Sequence, residues 1–288
     1  TRLMDSVTTE INENVKDHLD SNHKKTVHND ETKNREKKEK AGHDYYFSST
    51  SAKVDICFTT TSKRISLVPK IIESLKQQSL KPNSINLYIS HEPHLVDEGI
   101  DILDDTLKQL NIKIHWCPNI GPYRKIVPYL YACNGEKYHD NPKIFIIIDD
   151  DTCYPPDFVE NMLRNREKYN CVVGHRGRHM KIKKNSNFLD YSEWHDGIRE
   201  PCFANIATGQ SGVIYQTSDF PSDFKLEEAL KFAPTHDDLW LKWLTSENNT
   251  RTVILHPNAV VTRKYSFPDI GDKSEIYPNS LWENYNKH

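Results

Sequence analysis

The feature that most constrains this sequence is an apolar run that ends abruptly in three carboxylates. Residues 144–148 form the longest unbroken apolar run in the chain, without the polar alternation of a half-exposed strand. Such a run is typical of a strand buried on both faces, as in a parallel sheet. Asp149, Asp150 and Asp151 follow at once. The sequence therefore predicts a central strand with an acidic carboxyl end.

The position of these carboxylates favours a ligand site. In open α/β sheets, ligands bind just beyond the carboxyl ends of the strands. Adjacent carboxylates repel one another unless a cation neutralises them. Asp149 and Asp151 are two residues apart, so in an extended segment they point the same way. We predict a divalent-cation site here, with a solvated acidic turn as the simpler alternative.

Strand-like and helix-like segments alternate around this run. Strands are predicted at 54–58, 85–90, 112–117, 171–182, 251–255 and 258–262. Amphipathic helices are also predicted. One follows Ser66, which is its expected capping residue, two begin at Tyr123 and Pro156, and two lie at 101–110 and 235–244. This alternation predicts βαβ units and an α/β fold with a mostly parallel sheet flanked by helices. Neither GxGxxG nor GxxxxGK[ST] is present, so an ordinary dinucleotide domain and a P-loop are not supported.

Composition separates the first part of the chain from the rest. Residues 1–46 are charged and poor in apolar side chains, which predicts a polar helix and linker, joined in a longer parent to a further N-terminal domain. Residues 47–288 form the predicted folded domain. The net charge of −3 gives no case for nucleic acid as a bulk partner. Six cysteines without a CxxC pair predict a reducing, cytoplasmic environment. The sequence has no apolar segment long enough to span a membrane, so a peripheral association with a membrane is expected through other parts of the parent protein.

Six motifs in a fixed order carry a family resemblance. They are FTTTSKR, GPYRKIVPYL, DDDTCYPPDF, GHRGRH, ATGQSGVIY and THDDLWLKWL, between residues 54 and 244. Together they resemble the GT-A glycosyltransferases, in particular the bacterial and viral enzymes related to glycosyltransferase family 2. The resemblance implies a GT-A (Rossmann-like) fold, with a nucleotide-binding half at 47–170 and an acceptor-binding half at 171–288.

The resemblance also implies an activity. The expected reaction is hexosyltransferase-like: an inverting transfer of a sugar from a nucleoside diphosphate to a glycan or a lipid-linked acceptor, in surface polysaccharide synthesis. A UDP-sugar is the expected donor. Mn²⁺ or Mg²⁺, held by Asp149 and Asp151, is expected to neutralise the leaving diphosphate. Which carboxylate holds the metal and which contacts ribose or sugar stays open.

Individual roles follow from the same resemblance. The expected donor-binding residues are Thr59, Thr60, Arg64, Lys125, Asp149 and Asp150. Asp238 is the expected general base, with Asp237 as its rival. The expected substrate-binding residues are His175, Arg176, Trp194, Thr208, Gly209, Ser211 and Gly212, with His256 as a candidate metal ligand. For Lys125, His256, Trp194 and the two late aspartates, ordinary packing, solvation or helix capping is the alternative.

Two other classes of protein share part of this pattern. A haloacid-dehalogenase-like phosphatase also places DxD after an apolar strand, but normally on the first strand of its domain. Here three predicted strands precede the triplet. The other alternative is a sugar-binding or scaffold domain that has lost activity. The intact triplet and the later carboxylate pair speak against that alternative.

Overall fold

The structure, a computed structural model, describes residues 53–133, 141–183 and 188–256. The helix and linker predicted at 1–46 and the strand predicted at 258–262 lie outside this part of the chain. Among the described residues, no helix is both long enough and apolar enough to cross a bilayer.

The core of the fold is a seven-stranded sheet, with a second sheet of three short strands. The strands are β1 Val54–Thr59, β2 Ser84–Ile89, β3 Lys113–Trp116, β4 Ile144–Ile147, β5 Val172–Gly174, β6 Gly177–His179, β7 His195–Asp196, β8 Asn205–Ala207, β9 Val213–Gln216 and β10 Thr252–Ile254. The large sheet has the order β10-β5-β9-β4-β1-β2-β3, and the small one β7-β6-β8. Only β9 runs antiparallel to its neighbours in the large sheet. The predicted α/β fold with a mostly parallel sheet is confirmed.

Helices connect the strands. They are α1 Val68–Lys76, α2 Asp105–Lys108, α3 Val127–Cys133, α4 Phe158–Tyr169, α5 Leu226–Phe232 and α6 Asp237–Glu247. Single-turn 3₁₀ helices precede two of them, at Ile65–Leu67 before α1 and at Gly121–Lys125 before α3.

Three local predictions were wrong. Ser66 does not cap α1, because it lies inside a 3₁₀ turn and the N-cap position falls on Leu67. The helix predicted at 101–110 is limited to α2, which begins where the Asp104 side chain accepts a hydrogen bond from the Thr106 amide. The strand predicted at 171–182 is divided into β5 and β6, which belong to different sheets.

Strand β4 lies at the centre of the large sheet, as the apolar run predicted. It pairs in parallel with β1 on one side and antiparallel with β9 on the other. Phe145, Ile146, Ile147 and Ile148 have no exposed surface. The Phe145 ring lies against Tyr129 on α3, at a centroid distance of 4.8 Å, so helices cover the sheet here. The acidic triplet that follows β4 therefore projects from a rigid support.

We predict that Ile146→Ala lowers the free energy of unfolding by about 2–5 kcal/mol, because it removes buried methyl groups and leaves a cavity in a close-packed core. Denaturant unfolding measures this loss. The matched control is Ile102→Ala, since Ile102 is 86% exposed, and this change should stay within about 0.5 kcal/mol. Equal effects of the two substitutions would contradict a buried central β4.

Candidate active site

Strand directions bring three loops to one edge of the sheet. The parallel strands β1 and β4 end there, and β9 begins there because it runs the opposite way. Residues 60–64 follow β1, residues 149–151 follow β4, and residues 208–212 precede β9. The start of α6 and the 3₁₀ helix Gly121–Lys125 reach the same edge through the ion pairs described below.

Arg64 neutralises the end of the acidic triplet. Its Nη2 lies 2.8 Å from Asp150 Oδ1 and 2.6 Å from Asp151 Oδ2. Thr60 donates its hydroxyl to Asp150 Oδ2 at 2.5 Å. Burial nevertheless raises the pKa of Asp150 and that of Asp151, the latter to about 6, against the opposing charge of Arg64. Thr60, Arg64 and the triplet therefore form one cluster, while the contacts with the donor that were predicted for them stay predictions.

Lys125 joins the triplet to the later carboxylate pair. Its Nζ lies 2.9 Å from Asp149 Oδ1 and 2.9 Å from Asp237 Oδ2. The side chain is buried, and burial lowers its pKa, yet the charges of Asp149 and Asp237 outweigh this effect and leave the pKa of Lys125 raised. Lys125 is therefore a stable buried ammonium group between two elements of the fold.

Asp238 lies beside this ion pair, on the first turn of α6. Its Oδ1 accepts a hydrogen bond from the Gly209 amide at 3.1 Å. Burial, and next the charge of Asp237, raise the pKa of Asp238 to about 8. A carboxyl group with a pKa near neutrality can take up or release a proton under ordinary conditions. Asp238 thus has the proton affinity that a general base or acid requires.

The residues fit a divalent cation that is shared with a phosphate-bearing ligand. Among the described residues, no three or more His, Cys, Asp and Glu side chains form a metal-holding group. Mg²⁺ bound with substrate phosphates, however, needs only one or two carboxylates. The ion pairs use Oδ1 of Asp149 and Oδ2 of Asp151, so each carboxylate has a second oxygen outside its ion pair. Five carboxylates against two cations favour a further positive charge at this edge.

The two glycines of the loop before β9, Gly209 and Gly212, face different parts of the protein. A Cβ atom on Gly209 would lie 2.9 Å from Lys125 Nζ and 3.3 Å from Asp149 Oδ1, so Gly209 faces the ion pair. Gly212 has φ +91°, and a Cβ there would lie 2.4 Å from Phe158 Cζ. Gly212 is therefore required by backbone conformation and packing against α4.

Other predicted site residues have contacts within the protein. Thr59 donates its hydroxyl to the Tyr88 carbonyl. Arg176 donates to the Gln210 side chain, so it lies next to the loop that holds Gly209. Trp194 donates its indole N–H to the Leu189 carbonyl in its own segment. Their contacts with a substrate stay predictions, as do those of Thr208 and of the buried Ser211.

His175 and His256 form a buried ring pair. Their ring centroids are 4.3 Å apart, and the His175 ring also lies 6.3 Å from Phe158. Burial lowers the pKa of His175 to about 3 and that of His256 to about 4, so both rings are neutral at pH 7. The diphosphate contact of His175 and the metal contact of His256 stay predictions.

Sequence reasoning missed several residues that support the site. Tyr154 accepts a hydrogen bond from the Asp149 amide and donates to the Gln210 carbonyl, which joins the triplet to the loop before β9. Arg124 is almost fully buried and donates to the Thr60 carbonyl and to Asp97. The sequence GPYRK shows two adjacent cations, which could have drawn attention to Arg124. Spacing alone did not predict that Arg124 and Lys125 contact different partners.

The fold and this edge define a class of protein: a mixed α/β protein with a mostly parallel sheet and a carboxylate-rich site at the strand ends. No protein-family model and no curated protein sequence matches the chain. Among solved structures, the chain is similar to S. aureus TarS 1-349 in complex with UDP, with 15% identity and a TM-score of 0.42 over 70% of this chain and 57% of that chain. TarS has also been solved in complex with UDP-GlcNAc. The chain thus spans less than two thirds of that protein.

Two further structures are similar at a comparable level. The mannosyltransferase PcManGT from Pyrobaculum calidifontis, in complex with GDP-Man and Mn²⁺, has 11% identity and a TM-score of 0.40, over 70% of this chain and 54% of that protein. A 4-diphosphocytidyl-2C-methyl-D-erythritol synthase has 9% identity and a TM-score of 0.45, over 79% of this chain and 97% of that protein.

The helix that carries Asp237 and Asp238 also carries a buried lysine, Lys242, which contacts strand β10. Lys242 donates to Thr252 Oγ1 at 3.2 Å, and its ammonium lies over the Phe203 ring. Burial lowers the pKa of Lys242 from 10.5 to about 8. Between pH values of about 8 and 10.5, the Lys242 side chain is therefore protonated in the unfolded chain and neutral in the folded protein. The contribution of this group to stability is complete above pH 10.5 and is lost as the pH falls through about 8.

We predict that Lys242→Met increases the free energy of unfolding at pH 7 by about 1–3 kcal/mol, because it removes a buried charge. The advantage over wild type should shrink as the pH rises from about 8 towards 10.5. Denaturant unfolding at several pH values measures this difference in the free energy of unfolding between variant and wild type. Lys76→Met, at an exposed position on α1, is the matched control and should show no such pH dependence. A pH-independent effect of Lys242→Met would contradict the buried charge.

Proposed function

We propose that this chain is a metal-dependent glycosyltransferase, hexosyltransferase-like, that moves a sugar from a nucleoside-diphosphate donor to a glycan or glycolipid acceptor with inversion. A UDP-sugar is the proposed donor, and surface polysaccharide synthesis the proposed context. One observation carries the proposal. Lys125, Asp149, Asp237 and Asp238 converge from three separate segments at the carboxyl edge of the sheet, where α/β proteins bind ligands.

The end of β1 would bind the nucleoside part of the donor. Thr60 and Arg64 already contact Asp150, so these three side chains form a continuous polar surface beside β4. Arg64 offers a rigid guanidinium group that suits phosphate or carboxylate oxygens. A bound Mn²⁺ or Mg²⁺ would be held by Asp149 and Asp151 and would act as a Lewis acid on the leaving diphosphate.

Asp238 would accept the proton of the acceptor hydroxyl. A direct displacement at the anomeric carbon needs a base on the acceptor side, while the diphosphate leaves on the other side. The raised pKa of Asp238 makes its carboxylate a stronger base than a solvated aspartate. The Gly209 amide holds one of its oxygens and so orients the group. The loop at 208–212 would form part of the acceptor pocket.

The two alternative functions fit these contacts less well. A phosphatase of the haloacid-dehalogenase type normally has its nucleophilic aspartate on the first strand, but β4 is the fourth strand of its sheet in the described part of the chain. A sugar-binding scaffold has no need for a buried carboxyl group with a pKa near neutrality. The next two experiments test the proposal, and the first of them also separates it from the sugar-binding scaffold.

We predict that Asp238→Asn lowers kcat for sugar transfer by about 10²–10⁴-fold while donor binding is retained, because the amide cannot accept the proton. Turnover is measured as release of the nucleoside diphosphate, and donor affinity by calorimetry. Asp237→Asn is tested in parallel as the rival base. Unchanged turnover in Asp238→Asn would assign the base elsewhere. Donor binding without turnover in the wild type would favour a sugar-binding scaffold.

We predict that UDP-sugars raise the melting temperature of the wild type in the presence of Mn²⁺, and that Asp151→Ala abolishes this shift, because a metal ligand is lost. The screen compares UDP-, GDP- and CMP-sugars with and without Mn²⁺. Asp157→Ala is the matched control, since Asp157 is an exposed carboxylate in the same segment. Equal Mn²⁺–UDP affinity of Asp151→Ala and wild type would contradict the predicted metal site.

A further inference from the structure

Lys125 has contacts that differ from the phosphate contact predicted for it. The side chain is 6% exposed, and its ammonium group lies 2.9 Å from a carboxylate oxygen of Asp149 and of Asp237. Asp149 follows the central strand β4, whereas Asp237 is the first residue of α6. Lys125 itself ends a 3₁₀ helix that follows β3. One cation therefore joins three segments that are distant in the sequence.

The surroundings of Lys125 leave its ammonium group little room. A Cβ atom on Gly209 would approach Lys125 Nζ to 2.9 Å, so the Gly209 backbone covers the ion pair on that side. The same Cβ would lie 3.4 Å from Asp238 Oδ1, which puts the proposed base within the same cluster. Lys125 and Asp237 are thus almost fully buried in this cluster, whereas the Asp149 side chain is 32% exposed.

Breaking such a buried pair carries a large energetic penalty. Removing one partner of a buried ion pair is strongly destabilising, because the other charge stays buried without compensation. Here the partners are one lysine and carboxylates on two separate elements. The first turn of α6 is therefore held to the end of β4 by Lys125, and Asp238 is next to the residue that Lys125 holds.

We propose that Lys125 is a positioning residue that sets the place of the general base relative to the donor. It fixes the first turn of α6 against Asp149, so that Asp238 is held at a constant distance from the diphosphate site. This role rests on the proposed function, and it replaces the direct phosphate contact. Lys125 then affects the rate of transfer through Asp237 and α6, and it does not bind the donor itself.

Lys125→Met and Asp237→Asn cut the same link from its two sides. In the ligand-free protein, amide hydrogen exchange of residues 237–240 should become at least tenfold faster in each variant. In the double variant, exchange should be no faster than in the more affected single variant, because the two residues act through one link. If Lys125→Met alone does not fold, Asp237→Asn and the charge-balanced double variant carry the test.

Kinetics separate positioning from donor binding. In Lys125→Met, kcat at saturating donor should fall at least tenfold, while the Kd for UDP with Mn²⁺ should change less than fivefold. Arg166→Met is the matched control, because Arg166 forms a comparably buried 2.9 Å ion pair with Asp219 away from these groups. It should lower stability without changing kcat or the exchange of residues 237–240.

Three results would overturn the proposal: unchanged exchange at residues 237–240, a kcat within tenfold of wild type, or a Kd raised fivefold or more, as a phosphate ligand requires. Absence of any sugar transfer by the wild type would instead refute the proposed function. The exchange measurement needs no substrate, so it still decides whether Lys125 holds α6.

Discussion

The pairing of buried carboxylates with two cations is the interaction on which the site depends. Adjacent carboxylates at the end of a buried strand repel one another and lose their hydration. Arg64 and Lys125 offset both effects, each by contacting two carboxylates. Burial, and next the charges of the neighbouring aspartates that two cations do not balance, raise the pKa values of Asp151 and Asp238. The proposed metal ion and proton transfer would both use this excess of carboxyl groups.

Much of the sheet could be predicted because local pattern and tertiary environment agree in it. The run at 144–148 is fully apolar, and its strand is covered on both sides and paired with two neighbours. Prediction failed where short-range and long-range preferences differ. Asp104 caps α2, so the helix expected from residue 101 begins only at Asp105. Residues 175–176 separate β5 from β6, which were expected to form one strand. Capping and strand separation depend on single contacts, which cannot be inferred from the periodicity of apolar residues.

Several residues that meet at the acidic edge could be named from the sequence, but the partner that each one contacts could not. The order of the motifs pointed to Arg64, the triplet and the two late aspartates. Spacing alone did not indicate that Lys125 contacts Asp149 and Asp237, because these residues meet only through the topology of the sheet. Gly209 and Gly212 were treated alike in the sequence, but one faces the ion pair and the other packs on Phe158. Such differences arise from three-dimensional packing.

The reversed direction of β9 has a consequence for how the chain folds. Its pairing with β4 closes a long loop, because residues 148–212 separate the two strands. During synthesis, β4 would leave the ribosome long before this partner, with one edge of an apolar strand unprotected. Unpaired apolar edges promote aggregation, and pairings of high contact order form slowly. The feature that brings the glycine-containing loop to the acidic edge thus also delays the protection of β4 until β9 has been synthesised.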